Sequence, residues 1–202
     1  DLLKTGEQMD TAYYYLGQIT EMEKNFEQAL SWYEKVEGGT NYLNAQARIA
    51  MILVIQGQLE KALEHLHAVP VESDDDALTL IQFEAELLID QKRFDQAMAT
   101  YNRAMVKDPN NINLLYMRAL LAEQLGHIDQ LEQDLRQILK IDPNNVRALN
   151  TLGYSLADLT DRYQEAYDLI KKAMELHPED YYILDSLGWV LYKMGKYSEA
   201  LT

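Results

Sequence analysis

Ile141-Asp142-Pro143-Asn144-Asn145 leads into Leu149-x-x-Leu152-Gly153, Ala166, Ala173 and Pro178. The pattern then restarts with Leu184-x-x-Leu187-Gly188, Gly195, Tyr197 and Ala200. Gly153 and Gly188 lie 35 residues apart, and Ala166 and Ala200 lie 34 apart. A period of that length fits one helix-turn-helix unit, repeated.

Working outward, the small residue that starts each second helix falls at Ala29, Ala62, Ala97, Leu131, Ala166 and Ala200, with spacings of 33, 35, 34, 35 and 34 residues. These registers predict a single array of about six repeats, at about 10–39, 41–72, 74–109, 111–143, 145–178 and 179–202. Each is read as two antiparallel helices, A and B, packed on each other and on the next pair. The predicted fold is all-α, a right-handed superhelical solenoid. The second repeat has Ile49-Ala50 where others have Leu-Gly, and Ala50 still allows close helix contact. The fifth is read with one extra residue in the turn from Leu159 to Tyr163, where an insertion costs little. The sixth is incomplete, and Leu2-Leu3 read as the tail of an earlier helix, so a piece of a longer array is expected.

The spacing of Leu-Gly, an aromatic, Ala and Pro resembles the tetratricopeptide repeat. That resemblance implies a binding scaffold whose A helices line an inner groove.

Composition sets limits. Apolar residues at 48% and charged residues at 25% are globular values. A net charge of −15 disfavours nucleic acid and anionic membrane surfaces, both of which need Lys and Arg on the protein. The acids read first as solvated helix faces, and second as a surface for a basic partner. There is no cysteine, so disulfide and thiolate chemistry are excluded in this stretch. No apolar run is long enough to span a membrane; the longest, Ile49 to Ile55, holds seven residues.

A search for chemistry finds no catalytic constellation, metal site or cofactor motif. His65 and His67, two apart on a helix, point away from each other, and His127 and His177 stand alone. Asp74-Asp75-Asp76 lacks the glycine and terminal glutamate of a calcium loop, so with Ser73 it reads as a helix cap. Gly38-Gly39 lacks the rest of a P-loop and reads as a helix stop. The chain is expected not to be an enzyme.

Helical phase places a candidate partner groove on the A helices. In the first three repeats it holds Tyr14, Gln18 and Glu21, then Met51, then Gln82 and Glu86. The next three add Tyr116, Leu120 and Glu123, then Asn150 and Tyr154, then Asp185, Trp189 and Tyr192. Aromatics mixed with acids suit a protein or peptide with apolar anchors and basic residues; packing between A helices is the alternative for each ring. The two-carboxylate clamp known in this family fails here: Arg147 and Asn150 are in the right neighbourhood, but Thr11, Tyr14, Asn44, Ala47, Thr79 and Gln82 stand at its places on the first three A helices.

The runs Leu149 to Asp158 and Ile183 to Tyr192 are similar to those of proteobacterial outer-membrane lipoproteins built from these repeats. That resemblance covers roughly the last third of the chain. It implies an adaptor, at the periplasmic face of the outer membrane, that holds a C-terminal processing protease and presents cell-wall hydrolases to it. The alternatives are a cytoplasmic assembly or secretion factor using the same groove, or the regulatory part of an enzyme whose catalytic domain lies elsewhere. The unfinished sixth repeat also leaves room for self-association.

Overall fold

The computed structural model describes residues 2–200, with side chains described at 6 and from 8 onward. Among them are helices and no strand. In chain order the helices are α1 (Leu2–Met22), α2 (Phe26–Tyr33), α3 (Tyr42–Ile55), α4 (Leu59–Ala68), α5 (Asp74–Asp90) and α6 (Phe94–Met105). They continue as α7 (Ile112–Gln124), α8 (Ile128–Ile141), α9 (Val146–Leu159), α10 (Tyr163–Leu176), α11 (Tyr181–Lys193) and α12 (Tyr197–Ala200).

Odd-numbered helices are the A members and even-numbered ones the B members, and three residues join A to B in each pair. So short a link folds B back along A. Five of these turns share one device, a left-handed residue at Lys24, Gly57, Lys92, Gly126 or Gly195. At Gly57, its N–H donates to Val54 O and the next N–H, of Gln58, reaches back to Leu53 O. Lys24, Lys92, Gly126 and Gly195 repeat that pair of bonds, which satisfies the carbonyls a helix end would leave unpaired.

The α9–α10 turn differs. It has no left-handed residue; Thr160 is extended there, and its hydroxyl accepts from Arg162 N. The turn is three residues long like the rest, and α9 has 14 residues against 13 in α7 and α11. The extra residue placed in this turn from the sequence therefore lies in a longer helix instead. Leu2 and Leu3 need a similar correction: they open α1, which runs unbroken to Met22, and are not the tail of a separate helix.

Between pairs, side chains cap the next helix as their types dictate. Ser73 accepts from Asp76 N, Asn111 from Asn113 N and Leu114 N, and Asn145 from Ala148 N. Each such cap contributes about 1 kcal/mol.

The period has a packing cause. Ala29, Ala62, Ala97, Leu131 and Ala166 are all fully buried, and Ala200 is half-buried. On the A helices Gly17, Ala50, Ala85, Ala119 and Gly153 are buried too, so each A helix meets its neighbours through a residue with little or no side chain.

The chain divides into two compact units, residues 1–100 and 101–202. In the first, α1 packs on α2 and α3 on α4, and α3 also touches α2 and α5. Its core begins with Ala29, Tyr33 and Val36 of the first B helix and its tail, against Ala45, Ile49 and Ile52 of α3. Full burial of each large side chain there contributes about 1.5–3 kcal/mol. In the second unit α7 packs on α8, α9 on α10 and α11 on α12, with α8–α9, α9–α11 and α10–α11 joining the pairs.

The second unit also carries a four-member ion network. Arg162 Nη1 lies 2.6 Å from Glu132 and its Nη2 2.7 Å from Glu165. Arg136 bonds Glu132 at 2.7 Å and also Glu165. Bonds from Arg162, aided by Arg136, hold the Glu132 carboxyl below its ordinary value; Arg136, aided by Arg162, does the same for Glu165. A depressed folded-state pKa gives stability that is complete above the ordinary glutamate value of 4.5 and is lost as pH falls through the lowered ones. All four groups are partly exposed, so the effect is screened and small. Glu132→Gln should cost less than about 1 kcal/mol at pH 7. In thermal melts, that difference should shrink in high salt and decline as pH falls below 4.5; a cost independent of both salt and pH would mean the side chain acts by packing.

Candidate interaction surface

In the first unit, α1, α3 and α5 line an open cleft of about 400 Å³. Tyr14 comes from α1, Met51, Val54 and Ile55 from α3, and Phe83, Glu86, Leu87 and Asp90 from α5. Helical spacing explains the α3 and α5 sets, since residues three and four apart share a face. Three residues predicted from the sequence, Tyr14, Met51 and Glu86, meet here; Gln18, Glu21 and Gln82 are not among the lining residues.

Gln18 donates to the Tyr14 hydroxyl at 3.1 Å. Glu21 is engaged inside the unit: it accepts from Tyr33 Oη at 2.7 Å and binds the Arg48 guanidinium through both carboxylate oxygens. Burial, then the Glu21 carboxylate, raise the Tyr33 phenol well above its ordinary value, so it stays a donor at neutral pH. Burial opposes the charge on Arg48, but Glu21 outweighs it and raises its pKa. Glu21 thus ties α1 to α2 and α3, a role its helical phase does not signal.

In the second unit the predicted residues lie on α7, α9 and α11. The Tyr116 hydroxyl is 3.0 Å from Thr151 Oγ1, and the Arg147 guanidinium sits 4.1 Å above its ring. Glu123 accepts from the Ser155 hydroxyl. Tyr154 is 38% exposed, and burial, then the charges of Asp158, Glu123 and Asp185, raise its phenol. Trp189 stacks on the exposed Tyr192 at 5.6 Å, and Lys193 reaches both the Trp189 ring and, at 4.0 Å, Asp158. Leu120 is 40% exposed, Asp185 is exposed, and Asn150 and Trp189 are half-buried. Asn150 Oδ1 and Trp189 Nε1 are each buried without a hydrogen-bond partner among the described residues. This surface joins open aromatic rings to carboxylates.

Profiles of the tetratricopeptide repeat family match residues 11–67 and 112–145. These are tetratricopeptide repeats. A TPR repeat-containing protein of Pseudomonas aeruginosa is 39% identical over 192 residues, covering 95% of this chain and 32% of its own length. Another, from Methanocaldococcus jannaschii, is 26% identical, covering 100% of this chain and 37% of its own. The chain thus spans about a third of the length of these curated relatives.

Among solved structures, a tetratricopeptide repeat protein from Parabacteroides merdae superposes with a TM-score of 0.63 at 19% identity, over 96% of this chain and 77% of that one. MamA from Desulfovibrio magneticus gives 0.60 at 18%, over 81% and 90%. YrrB, described as a TPR protein with an unusual peptide-binding site, gives 0.53 at 18%, over 85% and 88%. At these identities the likeness concerns the fold. Proteins of this repeat class bind protein or peptide partners.

Proposed function

We propose that the chain is a non-catalytic scaffold whose A-helix surfaces bind protein or peptide segments carrying apolar anchors and basic residues. The observation that carries this reading is the surface around Tyr154, where exposed rings and the carboxylates of Glu123, Asp158 and Asp185 meet on α7, α9 and α11. Aromatic rings supply anchoring area at low entropic cost, and the acids select for positive charge.

A finer reading is a periplasmic lipoprotein adaptor for a C-terminal processing protease. It rests on the similarity of residues 149–158 and 183–192 to that group, and the relative in Pseudomonas aeruginosa supports a proteobacterial setting. A pull-down from periplasmic extract with the full-length parent protein tests both levels. Capture of a processing protease or a cell-wall hydrolase supports the adaptor. Capture of cytoplasmic proteins alone removes it and leaves the scaffold.

Tyr154→Ala combined with Tyr192→Ala should weaken the captured partner by roughly tenfold or more, as loss of interface aromatics does. The melting temperature should change little, because both rings are open to solvent. A large drop in melting temperature with partner binding intact would assign these rings to packing.

A further inference from the structure

The cleft of the first unit has a more specific chemistry than a general binding surface. Its floor is apolar, with Val54, Phe83 and Leu87 beneath Met51 and Ile55, which remain 42% and 58% exposed. Open apolar surface of this kind is unfavourable in water until something covers it. Met51 is unbranched and adapts to whatever side chain arrives.

The charges at the rim are one-sided. Arg48 is the cation lining the cleft, and Glu21 neutralises it. Glu86 and Asp90 sit one helical turn apart on α5, both exposed, and among the described residues neither has an ion-pair partner. An uncompensated carboxylate pair beside an apolar floor attracts a cation attached to an apolar group.

We infer that this cleft seats one bulky apolar side chain of a partner protein segment, with a Lys or Arg within about one helical turn of it held by Glu86 and Asp90. The inference rests on the scaffold reading and adds a place and a recognition rule to it. Apolar contact fixes the segment, and the acid pair selects its charge. Arg48 and Glu21 brace the wall without contributing net charge.

A displayed library of random dodecapeptides, panned on the whole chain, provides the test. Enriched peptides should pair an aromatic or aliphatic residue with a nearby Lys or Arg. A synthetic copy of an enriched peptide should bind roughly tenfold more weakly to the Glu86→Gln, Asp90→Asn double variant at low salt. That difference should fade in high salt, while binding should be lost to Met51→Glu at any salt. All three positions are exposed, so the variants keep the fold.

Enriched peptides without Lys or Arg, or an affinity unchanged in the double variant, would overturn the charge rule. Peptides that bind but ignore Met51→Glu would place recognition elsewhere, overturning this inference while the scaffold reading stands. No enrichment at all, with the panned chain shown folded by circular dichroism, would remove both.

Discussion

Gly153→Ala should destabilise the second unit by about 2 kcal/mol, while Gly188→Ala, at the same place in the next repeat, should stabilise it by about 0.5–1 kcal/mol. A methyl group at Gly153 would lie 2.6 Å from Ile170 Cγ1 and 2.9 Å from the Ala166 carbonyl oxygen on α10. The Ile170 side chain is fully buried and has no room to swing aside, and a backbone carbonyl does not yield at all. The two helices must separate, and the overpacking strain exceeds the gain in helix propensity. At Gly188 the nearest such atom among the described residues is the Ala200 carbonyl oxygen at 3.5 Å, an ordinary contact, and the position that matches Ile170 falls outside this chain. Among the described residues nothing then opposes the propensity gain, because alanine orders a helix at less entropic cost than glycine. Melting temperatures of the two variants should move in opposite directions. A shift of the same sign in both would show that this contact does not set the α9–α10 spacing. Gly17→Ala belongs with Gly153, since its methyl would meet the buried Tyr33 ring at 2.5 Å.

This pair also shows what a sequence conveys. The phrase Leu-x-x-Leu-Gly reads identically at Gly153 and Gly188, which lie on the A helices α9 and α11. Periodic small residues are legible because each marks the same close contact between helices. How tight each contact is depends on the partner helix, and that does not appear in the phrase. The turns were half legible for a similar reason. Gly57, Gly126 and Gly195 announce a left-handed residue, whereas Lys24 and Lys92 adopt the same conformation without a glycine. Their backbone strain, of order 1 kcal/mol, is tolerated because the two bonds of the turn hold them there.

Among the candidate groove residues, helical phase identified which ones lie on A helices but not which were already engaged. Tyr14, Met51 and Glu86 meet at one cleft, while Glu21 faces inward to Tyr33 and Arg48. The signal for Glu21 lies in residues 12 and 27 positions later in the chain, outside the reach of a pattern read along one helix. Asp90, by contrast, was not among the candidates. It is the last residue of α5, one turn beyond the candidate Glu86.

Replacing Arg118 with methionine should cost about 3–5 kcal/mol. Arg118, on α7, grips Asp134 on α8 through two parallel bonds, at 2.9 Å from Nε and 2.6 Å from Nη2. Its third nitrogen, Nη1, donates to Asn102 Oδ1 at 2.6 Å, and Gln130 adds a bond to Asp134 at 3.0 Å. The Asp134 side chain is only 1% exposed. Without the guanidinium, a buried carboxylate keeps one amide donor and loses its counter-charge, which is why removing a single partner is severe. The same pair of positions, sixteen residues apart, joins Thr100 to the buried Glu84 by a 2.7 Å bond in the first unit. The matching positions of the first repeat hold Leu16 and Trp32, an apolar pair in the sequence. It follows that Arg118→Met combined with Asp134→Leu should recover most of the loss, because an apolar pair of similar volume needs no desolvated charge. Denaturant melts of the two single variants and the double variant decide the matter. Recovery in the double variant would show that the cost of Arg118→Met is the orphaned carboxylate. A double variant as unstable as Arg118→Met would instead assign the stability to the hydrogen-bonded network through Asn102 and Gln130.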